Sequence, residues 1–511
     1  MVSEENYLNI TRASDLSNPK ERALYRFFET LPALLSLGTL LGALIFSWII
    51  PVSVAFFIIV FDFFWFLRIF YLAFHQTSSF RQMKRNLKVN WLEKLEKENP
   101  DWQRVYHLII LPSCRESKEI IKSSLESLIV SNYPKEKMIV ALAIEERMGE
   151  NDFKEAKEIE EDFKGKFFKF IVTSHPEDMP GEIAGKGSNV AFALNEVKDK
   201  IVDPLGIPYE NIVVSSFDID TKPYPYYFAN LTWNYLNNPN PFRSSYQPIP
   251  VYNNNVWEAP AFSRVIATSG TFWQMMQQER PEQLVTYSAH AFPFKVFIEA
   301  GYPSNIVADD SHVFWKAYFK YDGDYKVVPL YYPISMDAVL AESLKRTAIN
   351  QYKQQRRWAW GCVEIPYLLF NFLKRKKIPM AEKIRHSFTI IDGFWSWATS
   401  SLLVFILGWL PLWLGGDEFQ KSLLSYNLPK ITSYIMSFAM IGMLASAITS
   451  LAILPPKPAT YGKFKKLSMV FQWFLLPITL IVFGNLPALD AQIRLLLGKY
   501  MGFWVTEKHR K

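Results

Sequence analysis

PYENIVVSSFDIDTKP, residues 208–223, opens on a turn, runs through the apolar stretch Ile212–Val214 and ends in two aspartates separated by one residue. A short β-branched run bounded by proline and polar residues predicts a buried strand. Side chains alternate along extended backbone, so Asp218 and Asp220 fall on one side of it. Two carboxylates at that spacing suit a hard divalent cation, Mg2+ or Mn2+, which also takes phosphate oxygens. A solvated turn before Pro223 explains the same residues if the strand is not buried.

Upstream the pattern repeats. VYHLIIL, residues 105–111, leads into PSCRES and then a helical periodicity over Lys118–Val130, and MIVALAIEER ends its own apolar run at Glu145 and Glu146. This is a βαβ arrangement with polar residues at the strand ends, and it predicts an α/β domain. In open α/β sheets ligands collect at the carboxyl ends of strands, which brings Glu116, Glu145, Glu146, Asp218 and Asp220 toward one cleft.

Three further segments carry candidate chemistry. GEIAGKGSN, residues 181–189, is one residue too short for a nucleotide-hydrolysing phosphate loop, but it leaves Lys186 in a Gly-rich turn at a helix start, where an anion could sit. IVADDSHVFWKAY, residues 306–318, places Asp309 and Asp310 in a first helical turn; they serve as caps or, with a raised pKa, as a general base. His312 is a candidate metal ligand or a structural histidine. The stretch Leu344–Leu369 predicts one amphipathic helix on which Gln354, Arg357 and Trp358 share a face, with Lys353 and Arg356 off it as interfacial anchors.

The chain has 511 residues, 50% of them hydrophobic and 16% aromatic, and carries a net charge of +7. Leu31–Ile50 and Pro51–Phe74 predict a helical hairpin through a bilayer. Asp62 within it costs about 2.5–3.5 kcal/mol on insertion scales, which an ion pair with Arg68 or a polar interior would offset. Ser387–Gly415, Thr432–Leu454 and Ser468–Gly484 are three further candidate spans. The charged start of the chain carries no cleavage signal, so the first span is expected to stay.

The expected organisation is residues 1–80 with two transmembrane helices, 81–106 as an amphipathic juxtamembrane segment, 107–335 as the α/β domain, 336–386 as interfacial helices, and 387–511 as a membrane bundle and tail. Lysines and arginines after the second span and before the last one put the central domain in the cytoplasm. Five spans would send the tail outside, whereas its own basic residues favour the inside; a kink at Pro477, a re-entrant turn or a sixth span near Leu486–Phe503 would reconcile the two. The positive charge is juxtamembrane and suits membrane lipids, with no nucleic-acid signature. Cys114 and Cys362 fit a reduced compartment and offer no zinc spacing.

Taken in order, PSCRES, AIEER, GKGSN, FDIDT, ADD and QQRRW resemble the membrane-integrated family-two glycosyltransferases, the group of cellulose, hyaluronan and chitin synthases. The resemblance runs from about residue 30 to the end. It implies a Rossmann-like GT-A domain between transmembrane helices of the plasma (inner) membrane, and inverting sugar transfer from a nucleotide-sugar donor, expected to be a UDP-sugar. The acceptor would be a growing polysaccharide made processively and exported, or else a polyprenyl-phosphate or other lipid acceptor; a nucleotide-binding transporter or receptor is the distant alternative. By position, Glu116 and Glu145 would lie near the nucleoside, Lys186 near the base or diphosphate, and Asp218 and Asp220 at the metal and donor diphosphate. Asp310 would be the base, with Asp309 beside it, and Gln354, Arg357 and Trp358 would close over the donor. The chain departs from the family where the T-E-D motif reads Ala308-Asp309-Asp310, and where the strand-two acid is glutamate in place of the family's frequent aspartate. The tail WVTEK, residues 504–508, resembles the cytoplasmic tail end of such enzymes, and no nucleotide-sensing module is expected after it. Tyr246–Trp257 is either an acceptor contact or a surface loop.

Overall fold

The computed structural model describes residues 4–462 and 464–506, except for the side chains of 4–6, 439–441 and 443–445. Eight strands form one sheet: β1 (Tyr106–Pro112), β2 (Met138–Glu145), β3 (Lys169–His175), β4 (Ile212–Ser216), β5 (Lys222–Pro223), β6 (Ser244–Val251), β7 (Ala291–Pro293) and β8 (Lys326–Ser335). Their order is β3-β2-β1-β4-β7-β6-β8-β5. The first four are mutually parallel, β7 runs antiparallel to both β4 and β6, and β6 pairs in parallel with β8. The α/β expectation from residues 105–220 therefore holds, and the mixed half of the sheet extends it.

The near-continuous apolar runs of β1, β2 and β4 follow from their position, since each is covered on both faces and buried along almost its whole length. One face packs on the Lys118–Ile129 helix, the other on the Lys186–Val197 helix. These strands end together at Pro112, Glu145 and Ser216, and the acidic residues follow or terminate them.

Apolar helices flank the domain. Pro19–Ile49, Pro51–Asn86 and Lys465–Leu496 are each long and apolar enough to cross a membrane, and Met380–Phe405 with Leu407–Leu414 forms a pair bent by 48°. Leu423–Ala452 is a further helix of 30 residues, packed along the second one. The third expected span, Ser468–Gly484, lies within Lys465–Leu496. That helix also touches the domain: Trp473 stacks on Phe272, Phe483 on Phe262, and Asp490 pairs with Arg356. Leu486–Leu496 continues this segment and is not a sixth span.

Two other expectations change. Arg68 turns away from Asp62 and pairs with Asp392 at 3.0 Å, so Asp62, buried at 2% exposure, is not held by it. The single helix expected over 344–369 is two, Leu344–Ala359 and Glu364–Lys374, joined by a tighter turn at Trp360–Val363. Met380 already starts the next helix, so the boundary drawn at 386 falls inside an element.

Candidate active site

A cleft opens at the strand ends, lined among others by Glu116, Glu145, Lys186, Asp218, Asp220, Gln354, Arg357 and Trp358. The sheet supplies the carboxylates, the Gly-rich turn the lysine, and the Leu344–Ala359 helix its shared face. Of the two glutamates left open after β2, Glu145 lines the cleft. It is buried and bound by Arg147 Nε at 2.6 Å, whereas Glu146 Oε2 accepts the backbone N–H of Glu177. Glu116 accepts from Ser113 Oγ and the Cys114 N–H, which fixes its carboxylate at the turn after β1.

Lys186 is the hub. At 7% exposure, its Nζ lies 2.7 Å from Asp218 Oδ1 and 2.8 Å from Asp310 Oδ1. Burial alone would depress the ammonium's pKa, but the charges of Asp218, Asp310 and Asp309 outweigh it and hold Lys186 protonated. The lysine thus ties the strand-end aspartate to the start of the Asp309–Lys320 helix, a link across 124 residues that spacing could not reveal.

The two acids of that helix differ in environment. Asp310 receives Lys186 and Ser288 Oγ, and its Oδ1 is 3.7 Å from His290 Nδ1. Burial pushes the pKa of His290 down to about 4, so the ring is neutral. Asp309 points into the protein at 2% exposure, where Tyr302 Oη donates to it at 3.2 Å. Burial, then the neighbouring Asp310 charge, raises its pKa well above the usual carboxylate range. Neither acid is among the residues that line the cleft, but Asp310 is joined to two that do, Lys186 and Ser288.

The raised pKa of Asp309 sets the sign of a pH effect. A carboxyl harder to ionise in the fold than in the unfolded chain keeps its proton only when folded, so stability falls as pH rises above about 4. Asp309→Asn is expected to flatten the loss of thermal stability between acidic and neutral pH, read from melting temperatures across a pH series.

Gly187 permits the close approach of the two helix starts. A Cβ there would lie 2.7 Å from the Pro303 carbonyl oxygen and 2.9 Å from Asp309 Cβ. Gly187→Ala is expected to cost about 1–3 kcal/mol of stability, measured by denaturant unfolding, and to disturb the Lys186–Asp310 pair.

The expected Mg2+ or Mn2+ can be tested against these residues. Asp220 Oδ2 accepts the Asp337 N–H at 2.9 Å, and Asp218 faces Lys186, so both carboxylates are oriented at the cleft wall. Among the described residues no three His, Cys, Asp or Glu side chains gather into a metal site. One or two carboxylates completed by diphosphate oxygens is, however, the usual Mg2+ environment, and the pair fits that role. His312 does not join it: its Nδ1 lies 3.1 Å from Glu364, both buried, in a structural contact between helices. Cys114 has its pKa pushed up to about 11 by burial and acidic neighbours and is no nucleophile.

Phe503 was not singled out by its sequence. It lines the cleft together with Val505 and Thr506 of the WVTEK tail, against Gly185 and with the Arg357 guanidinium 4.7 Å above its ring. Lys353 lies 5.0 Å over the Trp504 ring. Arg356 binds Asp490 at 2.8 Å, so it tethers its helix to Leu486–Leu496. Glu507 and Lys508, the end of WVTEK, lie outside the described residues. Of Tyr246–Trp257, the first six residues belong to β6, Tyr252 lines the cleft beside Trp358, and the asparagines brace it: Asn254 donates to the Asp220 carbonyl and Asn255 bonds the Ala338 backbone both ways.

No family model and no curated protein matches the chain. Solved structures do resemble it. A mannosyltransferase from Pyrobaculum calidifontis, in complex with GDP-Man and Mn2+, is 13% identical with a TM-score of 0.41, over 76% of this chain and 99% of that one. Residues 1–349 of S. aureus TarS in complex with UDP-GlcNAc are 11% identical with a TM-score of 0.37, over 78% of this chain and 93% of that one. Both likenesses are distant, and the functional conclusion rests on this chain's own residues.

Proposed function

We propose that this chain is a membrane-integrated, family-two-type glycosyltransferase with a GT-A catalytic domain on the cytoplasmic side of the plasma (inner) membrane. It transfers a sugar from a nucleotide donor, a UDP-sugar first among candidates, to a growing glycan that leaves through the adjoining helices. One observation carries this reading: a single cleft gathers Glu116, Glu145, Lys186, Asp218, Asp220, Gln354, Arg357 and Trp358, with Asp310 tied in through Lys186.

The carboxylates at the β1 and β2 ends suit the hydroxyls and N–H groups of a nucleoside. The diphosphate fits between Lys186, Arg357 and the Asp218–Asp220 pair, and Trp358 with Tyr252 offers aromatic surface to sugar. In a single inverting displacement the acceptor oxygen forms its bond to the anomeric carbon as the bond to the diphosphate oxygen breaks. The acceptor proton passes to the Asp310 carboxylate, and the nucleoside diphosphate departs with the electron pair. Lys186 and Arg357 stabilise the charge that grows on it. A divalent ion held by Asp218 and Asp220 would supply further neutralisation of that diphosphate.

The test is release of nucleoside diphosphate from a panel of donors by protein in lipid vesicles, with and without Mg2+ or Mn2+. Metal-dependent release from one donor, together with long products retained inside the vesicles, is the expected result. Single-sugar products on a lipid carrier would replace the processive reading by the lipid-acceptor one, and no release from any donor would sink both.

A further inference from the structure

Asp310 does not itself line the cleft, so a carboxylate acting there as base needs a connection to the acceptor hydroxyl. Two of its partners do line it, Lys186 and Ser288, and they are chemically unlike. An ammonium has donors only, so Lys186 holds the carboxylate but takes no proton from the acceptor. A serine hydroxyl both donates and accepts, and can pass one proton on while it receives another.

The two oxygens of Asp310 divide these partners. Oδ1 faces Lys186 Nζ at 2.8 Å, with His290 Nδ1 at 3.7 Å, and a proton arriving there would meet the ammonium. Oδ2 accepts from Ser288 Oγ at 3.3 Å, which makes it the oxygen open to protonation. That distance is long for two oxygens, as catalytic hydrogen bonds often are before substrate binds.

The loop that carries the serine is fixed around this carboxylate. Thr286 Oγ1 donates to the Asp310 carbonyl at 2.6 Å, and His290 Nδ1 lies 2.9 Å from the Tyr287 carbonyl. Gln247, fully buried in β6, accepts the Tyr287 N–H at 2.9 Å and donates to the Ser288 carbonyl. Ala289 sits at a φ of 62°, in the left-handed region that residues other than glycine seldom adopt. Such a conformation persists only where the surroundings over-determine it, and here the residues on either side of it, Ser288 and His290, both meet Asp310.

We infer that Ser288 is a further catalytic residue, a proton relay between the acceptor and Asp310; the inference rests on the transferase reading. The acceptor oxygen bonds to the anomeric carbon as the bond to the diphosphate oxygen breaks. In the same step the acceptor O–H gives its proton to Ser288 Oγ, and the serine's own proton moves to Asp310 Oδ2. Ser288 ends as a neutral hydroxyl, Asp310 ends protonated, and the nucleoside diphosphate leaves with the electron pair.

Single-turnover release of nucleoside diphosphate in mixtures of H2O and D2O tests this, with the full chain in lipid vesicles and the donor of the panel that it turns over. Wild type is expected to show a rate that curves with the deuterium fraction, the mark of two protons moving in one step. Ser288→Ala is expected to be slower by about 10²-fold, with a linear dependence and unchanged binding of the nucleoside diphosphate. Ser288→Thr keeps a hydroxyl and is expected to regain most of the rate and the curvature. A linear dependence in wild type, or Ser288→Ala at the wild-type rate, overturns the relay and leaves the transferase reading standing. A slow Ser288→Ala that keeps the curvature also overturns it, and makes the serine a support for Asp310 only. No release from any donor by wild type sinks the transferase reading, and the relay with it.

Discussion

Asp310→Asn is expected to lower turnover by about 10²–10⁴-fold, the usual contribution of a general base, while donor affinity changes little. The amide keeps the shape and can still accept from Ser288, but it cannot take the acceptor proton. Lys186 at 2.8 Å orients the Asp310 carboxylate, and the His290 ring beside it is neutral. Single-turnover rates beside equilibrium titration of the nucleoside diphosphate separate the chemical step from binding. Loss of binding with unchanged turnover at saturation would assign Asp310 to the donor pocket instead. Asp309→Asn is the internal comparison: it lies behind the cleft and is expected to alter the pH dependence of stability far more than the rate.

Lys186→Gln is the second large effect, and here folding and catalysis both respond. Removing one partner of a buried charge cluster costs about 3–5 kcal/mol, because the remaining carboxylates lose their counter-charge. Asp218 and Asp310 would face each other across the gap with a neutral amide between them. Donor affinity and turnover are both expected to fall, the former because a diphosphate would meet uncompensated acids. Added Mg2+ is expected to restore part of the stability of this variant by occupying the same space, and thermal melts with and without the ion measure it. A variant as stable as wild type and equally tight for the donor would remove Lys186 from the site.

The buried-strand pattern before FDID and the paired runs at 105–111 and 138–146 were legible because strands covered on both faces must be apolar throughout. Their ends are where polar residues are forced out, so Glu116, Glu145, Asp218 and Asp220 could be placed at a common edge from sequence. Gln354, Arg357 and Trp358 were legible for a similar reason, since helical spacing puts them on one face. Their destination was not, because that depends on which way the helix packs. Arg356 illustrates the limit: adjacent to Arg357, it goes to Asp490, 134 residues away.

Local periodicity, the strand-end acids, the juxtamembrane charge and the length of the apolar helices were determined by the sequence alone, since each depends on neighbours within a turn or two. Only the tertiary structure decided that Lys186 bridges Asp218 and Asp310, that Asp309 turns inward, that Arg68 leaves Asp62 for Asp392, and that Lys465–Leu496 touches the domain and the tail lines the cleft. Those outcomes depend on which distant groups can neutralise a buried charge or cover an apolar face. That choice is made only when the whole chain is packed.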